Sequence, residues 1–558
     1  MRTLPWLALV ACTTADPVDT DTDTDALAST ASCLDDWTVQ EADASLPCDG
    51  PQRCVDGACV DPWTVDAPAW STCPEVPRAG GLSLAAKAAA YEDLVGRVHL
   101  HPDLRWVSGV RLRPDTDLAT AGFDDVASWR SGENDGLWSS LYLASQAFRW
   151  AVTDGAERTE ARARLAMLLQ GERERMDVSG VPGNLVRQLV PPGVAGLACP
   201  DDLDDYRVDV EKDDNRWVRI DEEGCAVVLP ATGDAWQRSG ACPGVDHAGW
   251  CFLDNTSKDE YAGHVFALLA VVRLVDDAEL QGLAAGLLAD VGHLLADHAL
   301  ALIDHDGRVT EHGDLSPLTG RDAPGFNATM ALAFTAAIAD ATDDARLDTL
   351  HACTVDPSGA DCEGLVPPNL DPFLSYLPLN LIYVDPKGCL NNDNNLSMHL
   401  LSLVDLVWAA PDPALRVAMQ EHLQALWDDP NGRALPHRHN AWYDMIFAAF
   451  KDLRPEGGGH APEAVADAVC GLARFPVDKR GRDIAASTEA EVCLDRLDRP
   501  MQATPRPVDD RCPKAMWWWN DAFVMAGCTG DAARVEPPAD YLLPYWMARY
   551  FGFVGQGD

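Results

Sequence analysis

Five times between Leu137 and Ala473 the sequence repeats one figure, in which apolar residues at helical spacing stop at a short polar break and then resume. Leu137, Leu141, Ala144, Phe148 and Val152 mark one face of a first helix; after Thr153-Asp154-Gly155 a second runs from Ala161 to Leu169. Val265, Leu268, Val272 and Val275 are followed, past Asp276-Asp277, by Leu283, Leu287, Leu294 and Leu302. The figure recurs over 326–340 with 343–352, 395–409 with 412–427 and 440–453 with 463–473. Breaks this short fold each pair into an antiparallel helical hairpin. The connections from one pair to the next are longer, loop-rich and often cysteine-bearing.

What precedes the first helix of each pair carries more information than the helix. Glu133-Asn134-Asp135-Gly136 opens the first, Asp254-Asn255-Thr256-Ser257 the second and Gly325-Phe326-Asn327 the third. Asn391-Asn392-Asp393-Asn394-Asn395 opens the fourth and His437-Arg438-His439-Asn440 the fifth. If the hairpins close into a ring with the first helices inside, these clusters meet at one rim. Asp, Asn, Ser and Thr are also ordinary helix caps, and Asn395 and Asn440 read equally well that way. Ser257 with Glu260 three residues on fits a capping box. Capping does not account for the surplus of carboxylates: Glu133 beside Asp135, Asp254 beside Asp259, and Asp393 among four asparagines. His264, one turn after Glu260, lies on the same helix face.

Other groupings carry less. His99-x-His101 and His437-x-His439 have ligand-like spacing, but neither has the third ligand that completes a metal site, and no metal or other cofactor is expected. Trp517-Trp518-Trp519 reads as a sugar-stacking surface or as a core plug. Asp304-His305-Asp306-Gly307 reads as a tight turn, because its glycine comes too early for a calcium loop. The sequence contains no serine-hydrolase elbow, phosphate-binding loop, dinucleotide fingerprint or zinc-protease helix.

The N-terminus speaks to compartment. Arg2, the apolar run Leu4 to Val10 and small Ala11 before Cys12 have the order of a secretory signal, and Leu9-Val10-Ala11-Cys12 resembles the lipobox of bacterial lipoproteins. That resemblance implies cleavage before Cys12 and a lipid on its thiol, with residues 1–11 as signal peptide. Residues 12–32 include Asp19-Thr-Asp-Thr-Asp-Thr-Asp25, a self-repelling acidic segment with little to bury, expected to be a disordered tether. Of 17 cysteines, setting Cys12 aside leaves an even number, which suits disulfides in an oxidising space. Cys33, Cys48, Cys54 and Cys59 fall in a segment, 33–74, too small for a core of its own, and two bridges are expected there; zinc is the weaker reading. Cys242/Cys251, Cys353/Cys362 and Cys512/Cys528 are spaced as local loop staples. Against 43 basic residues stand 88 acidic ones, for a net charge of −45. Such a charge repels nucleic acid and weighs against polyanionic substrates, although a local basic cleft can override the mean.

Glu133-Asn-Asp-Gly-Leu-Trp138 and the residues on to Arg149, Asp254-Asn-Thr-Ser-Lys-Asp-Glu-Tyr-Ala-Gly-His264 and Ala539-Asp-Tyr-Leu-Leu-Pro-Tyr-Trp-Met-Ala-Arg-Tyr550 resemble segments of bacterial extracytoplasmic proteins in the six-hairpin glycosidase-like superfamily. The resemblance spans roughly Leu82 to Val554. It implies an all-α fold over residues 75–558: an α/α toroid of about six hairpins with long, disulfide-stapled loops. By analogy it also implies a carbohydrate substrate. The expected activity is cleavage of glycosidic bonds in an extracellular poly- or oligosaccharide by two carboxylates, Asp135 and Asp259 first, with Glu133, Asp254 and Asp393 as substitutes. Asn134, Trp138, Glu260, His264, Asn394, His439, Asn440 and Tyr443 are the expected substrate contacts. A polysaccharide lyase using Asn440, His439, Tyr443 and Asn394 is the alternative chemistry, and a non-catalytic glycan-binding envelope lipoprotein the alternative class. The expected location is extracytoplasmic, held to a bacterial membrane through Cys12.

Overall fold

The protein is described by a computed structural model that covers residues 31–35, 37–41, 44–48, 50–55, 57–60, 79–130, 134–208, 215–318, 324–379, 389–390, 392–430, 433–454, 457–459, 461–514, 516 and 521–557. Cys12, the acidic segment behind it, Glu133, Asn391 and Trp517-Trp518-Trp519 lie outside the described residues.

Twelve α-helices are present among the described residues: α1 (Leu84–Leu94), α2 (Asp135–Val152), α3 (Gly155–Asp177), α4 (Lys258–Leu274), α5 (Ala278–Asp297), α6 (Pro324–Ala341), α7 (Ala345–Val355), α8 (Asp393–Ala409), α9 (Pro413–Trp427), α10 (Ala441–Phe450), α11 (Pro462–Arg474) and α12 (Ala539–Tyr550). The expected hairpins form as α2/α3, α4/α5, α6/α7, α8/α9 and α10/α11. The sixth pair joins the two ends of the helical region, with α1 against α12. The even-numbered helices pack in a closed sequence, α2 on α4, α4 on α6, α6 on α8, α8 on α10, α10 on α12 and α12 back on α2. The result is a ring of inner helices surrounded by the odd-numbered ones.

The burial pattern explains which helix takes which place. Every residue of α6 from Gly325 to Ile338 is buried, as befits a helix with protein on all sides, whereas α3 leaves one face in water and buries Ala161, Leu165, Leu168 and Leu169. The breaks between partners end in aspartates that cap the outer helices. Asp277 accepts from the Leu280 amide at 3.3 Å, Asp344 from Arg346 at 2.8 Å and Asp412 from Ala414 at 2.9 Å.

The inner helices run parallel, so one end of the ring collects their C-termini. Phe148 of α2 stacks on Trp408 of α8 with centroids 5.8 Å apart, Trp408 meets Phe450 of α10 at 5.8 Å, and Phe450 meets Phe551 just past α12 at 5.3 Å. The N-terminal cysteine-rich segment docks on this closed end. Trp37 stacks on Phe450, Arg53 donates to the Ala449 carbonyl at 2.8 Å, and Asp35 pairs with Arg416 at 2.8 Å. Two bridges staple the segment, Cys33–Cys54 and Cys48–Cys59, as its size requires.

The all-α expectation needs correction. Seventeen short strands in six sheets decorate the ring among the described residues. The largest sheet lies between α3 and α4 and orders its strands 237–238, 226–228, 217–220, 251–253 and 188–190, each antiparallel to its neighbours. Leu189, Val218, Ile220, Val228 and Phe252 pack with Trp106 into a small core of their own. Disulfides Cys199–Cys251 and Cys225–Cys242 fasten this sheet, so the expected Cys242/Cys251 pairing does not form. Cys251 lies inside a strand and is held by a cysteine 52 residues upstream. Cys353–Cys362 and Cys512–Cys528 do form, and Cys389–Cys493 ties the start of α8 to a distant loop. Seven disulfides among the described residues suit an oxidising, extracytoplasmic compartment. No described helix is long and apolar enough to cross a membrane.

Candidate functional site at the open rim of the ring

The opposite end of the ring collects the N-termini of the inner helices and with them most of the acidic clusters. Two groups of side chains meet there.

The first lies between α2 and α4. Asp135, buried in the first turn of α2, accepts from Ser108 Oγ at 3.3 Å. The residue after it, Gly136, lets α4 approach closely: a Cβ there would fall 2.7 Å from Glu260 Oε2 and 2.8 Å from His264 Nε2. Glu260 is fully buried and its Oε1 pairs with Arg187 at 3.1 Å, which in turn contacts Asn134 Oδ1 at 3.3 Å. The capping-box reading of Glu260 does not hold, because Ser257 makes no side-chain cap bond and the carboxyl faces Arg187. Burial pushes that carboxyl up to about 8, against the pull of Arg187 and Arg175 and with a further push from Asp135. His264 Nδ1 sits 2.7 Å from Glu172 and 2.8 Å from Ser140 Oγ. Burial works to raise the Glu172 carboxyl, but His264 holds it below the usual carboxylate range. Trp138 packs against the main core.

The second group joins α4 to α8 and opens on a cleft. Asp259, half-buried beside Glu260, receives a hydrogen bond from Asn394 Nδ2 at 3.4 Å. Burial raises its carboxyl above the usual range, and Lys258, His312, Arg187 and the Asn394 amide offset only part of that rise. Asp393 precedes Asn394 and pairs with buried Arg438. Burial and the carboxyl of Asp521 beside it push Asp393 well above the ordinary carboxylate range despite Arg438. Asp393, Asn394 and Asp521 line a cleft of roughly 400 Å³, with Asn392, Arg511 and Lys514 among its other walls. Asn392, not Asn395, caps α8, accepting from the Asn395 amide at 3.4 Å.

Four expected residues sit elsewhere or do other work. Asp254 is buried just past the sheet strand 251–253, where its Oδ2 takes Arg216 at 2.7 Å and Arg308 at 3.3 Å. With Asp304 and His305 it forms the one acidic-histidine grouping dense enough for a metal ion among the described residues. The two guanidinium groups already supply the positive charge a cation would bring, so this grouping fits a buried ion-pair network better than a metal. Asn440 caps α10, accepting from the Trp442 amide at 3.1 Å. Tyr443 is buried with its hydroxyl 2.8 Å from Ser397 Oγ, and His439 is turned outward onto Asp467 at 2.8 Å. His99 and His101 are packed inside, His99 Nδ1 on the Ser108 carbonyl at 2.9 Å and His101 Nδ1 on the Leu104 amide at 3.2 Å.

Asp521 and Arg511 escape sequence reasoning, because neither stands at a helix start and only the fold brings the loop after residue 500 against α8. Arg438 lies in the cluster that opens the fifth pair, but nothing local marks it as the partner of Asp393. No protein-family profile and no curated protein matches this chain. Among solved structures, the crystal structure of the cellulase Cel9M of C. cellulolyticum is similar over 86% of this chain and 100% of that one, at 12% identity and a TM-score of 0.36. A likeness that loose decides neither fold nor activity.

Proposed function

We propose that this chain is an extracytoplasmic glycoside hydrolase whose reaction runs at the cleft bordered by Asp393, Asn394 and Asp521. The observation that carries the reading is the pairing of two differently held acidic centres across Asn394. Glycoside hydrolysis needs one carboxyl that keeps its proton until the leaving oxygen takes it and a second that is ionised to activate water or attack. Asp393 suits the first role, because burial and Asp521 favour its protonated form while Arg438 fixes its orientation. Asp259 suits the second, being partly open to water, bonded by Asn394 and surrounded by Lys258, Arg187 and His312. Asp135, the first choice from the sequence, becomes a partner of the buried Glu260 and His264 group behind the cleft, and acts by keeping α2 and α4 in place.

The lyase alternative would draw on Asn440, His439 and Tyr443, which are occupied by a cap, an outward ion pair and a buried hydroxyl contact. A lipid on Cys12 remains part of the proposal. The described chain enters the fold at its closed end, so a tether there would point the cleft away from the membrane surface.

The test is a panel of soluble poly- and oligosaccharides incubated with the purified protein, read for new reducing ends and for ultraviolet absorbance. New reducing ends without added absorbance support hydrolysis. Absorbance from unsaturated ends selects the lyase, and binding without cleavage throughout selects the non-catalytic reading.

A further inference from the structure

The lining of the cleft carries an excess of positive charge that the rest of the chain does not foreshadow. Arg496, Arg499, Arg506, Arg511 and Lys514 line it, against Asp393, Asp495 and Asp521, in a protein with about twice as many acidic as basic residues. Part of this charge is internally satisfied, since Arg499 pairs with Asp495 at 2.7 Å and Arg506 with Asp510 at 3.0 Å. Arg496 and Lys514 are exposed and make no ion pair among the described residues. Behind them Arg511 is 4% exposed and its Nη1 has no hydrogen-bond partner among the described residues. Cations gathered around a concavity and only partly matched by its carboxylates are stabilised by an incoming anion. Disulfides Cys389–Cys493 and Cys512–Cys528 hold the surrounding loops in place.

We infer that this lining is a subsite for an anionic sugar, a unit bearing a carboxylate, held by Arg496 and Lys514 with Arg511 supplying positive potential from beneath. A singly charged carboxylate suits a cleft that also contains three aspartates better than a doubly charged phosphate ester would, and the planar guanidinium of Arg496 matches its two oxygens. The inference rests on reading the cleft as a saccharide site and narrows the substrate to an acidic glycan. It answers the weight that net charge alone places against such substrates.

The experiment uses the full chain and ligand-observed saturation-transfer NMR with sodium glucuronate and with glucose, inorganic sulfate serving as competitor. Glucuronate is expected to bind at least about tenfold more tightly than glucose. Arg496→Gln/Lys514→Gln, two exposed changes that leave the melting temperature in place, is expected to remove that preference. Equal binding of glucose, an unchanged double variant, or no saturation transfer to glucuronate overturns the proposal. The two readings fail separately. Cleavage of neutral glycans without glucuronate binding removes the subsite and leaves the hydrolase, whereas glucuronate binding without cleavage of any glycan does the reverse.

Discussion

Asn394 Nδ2 lies 3.4 Å from Asp259 Oδ2, a hydrogen bond that links the start of α8 to the start of α4 at the open rim. The amide donates to the carboxyl, favours its ionised form and so opposes the effect of burial, which still leaves the carboxyl raised. Removing it in Asn394→Ala raises the Asp259 pKa further. If Asp259 must be ionised to act, the acidic limb of the pH–rate profile moves to higher pH, and kcat falls by about tenfold. A profile that keeps its acidic limb in the variant would assign Asn394 to packing alone.

Gly136 is a packing requirement that the acidic motif around it conceals. A Cβ at this position meets Glu260 Oε2 at 2.7 Å and His264 Nε2 at 2.8 Å, both on buried side chains. Gly136→Ala is therefore expected to destabilise the fold by about 1–3 kcal/mol, the usual range for overpacking, when measured by denaturant unfolding. Unchanged stability would mean that α2 and α4 separate at little cost.

Glu260 gives the fold a pH dependence with a defined sign. Its carboxyl rises from an ordinary 4.5 to about 8 through burial, so the folded state binds the proton more tightly than the unfolded chain. The stability it contributes is complete below about pH 4.5 and is lost as the pH rises toward 8. Glu260→Gln cannot titrate. Melting temperatures of the two proteins should therefore diverge between about pH 4.5 and 8, wild type losing stability relative to the variant as the pH rises. Parallel curves would count against a neutral Glu260.

Lys479 and Asp540 pair at 2.7 Å with neither side chain exposed, tying a loop to the first turn of α12. Removing one member leaves the other charge buried. Lys479→Met should cost about 3–5 kcal/mol, and Lys479→Met/Asp540→Leu should recover part of it. The check is a double-mutant cycle on unfolding free energies, and additive losses would refute the coupling.

What the sequence revealed and what it hid follow from range along the chain. Five hairpins were legible because each is local: two apolar stripes and a polar break, all close together in sequence. The sixth was not, since α1 and α12 lie at opposite ends of the helical region and neither has a neighbouring partner to suggest it. The sheets were hidden by length, because strands such as 226–228 and 251–253 are too short to establish a period of two. At the rim, the clusters at Asp135, Asp259 and Asp393 were visible as a surplus over capping needs. Asn440 and Asn392 turned out to be the caps themselves. Asp254 showed the same surplus and is spent on Arg216 and Arg308, a role that depends on residues far from it in sequence. Asp521 reaches Asp393 only through tertiary folding, and nothing in its local sequence marks it.

Whether the reaction belongs to this rim is tested most directly by the rate of reducing-end release from the most responsive glycan of the panel, measured for wild type, Asp259→Asn and Asp393→Asn. Each substitution keeps the side chain's size and removes its acid–base function. A fall of roughly 10²–10⁴-fold in kcat for both variants, with melting temperatures unchanged, is the predicted result. Release at the wild-type rate by either variant would contradict the assignment of the reaction to Asp259 and Asp393.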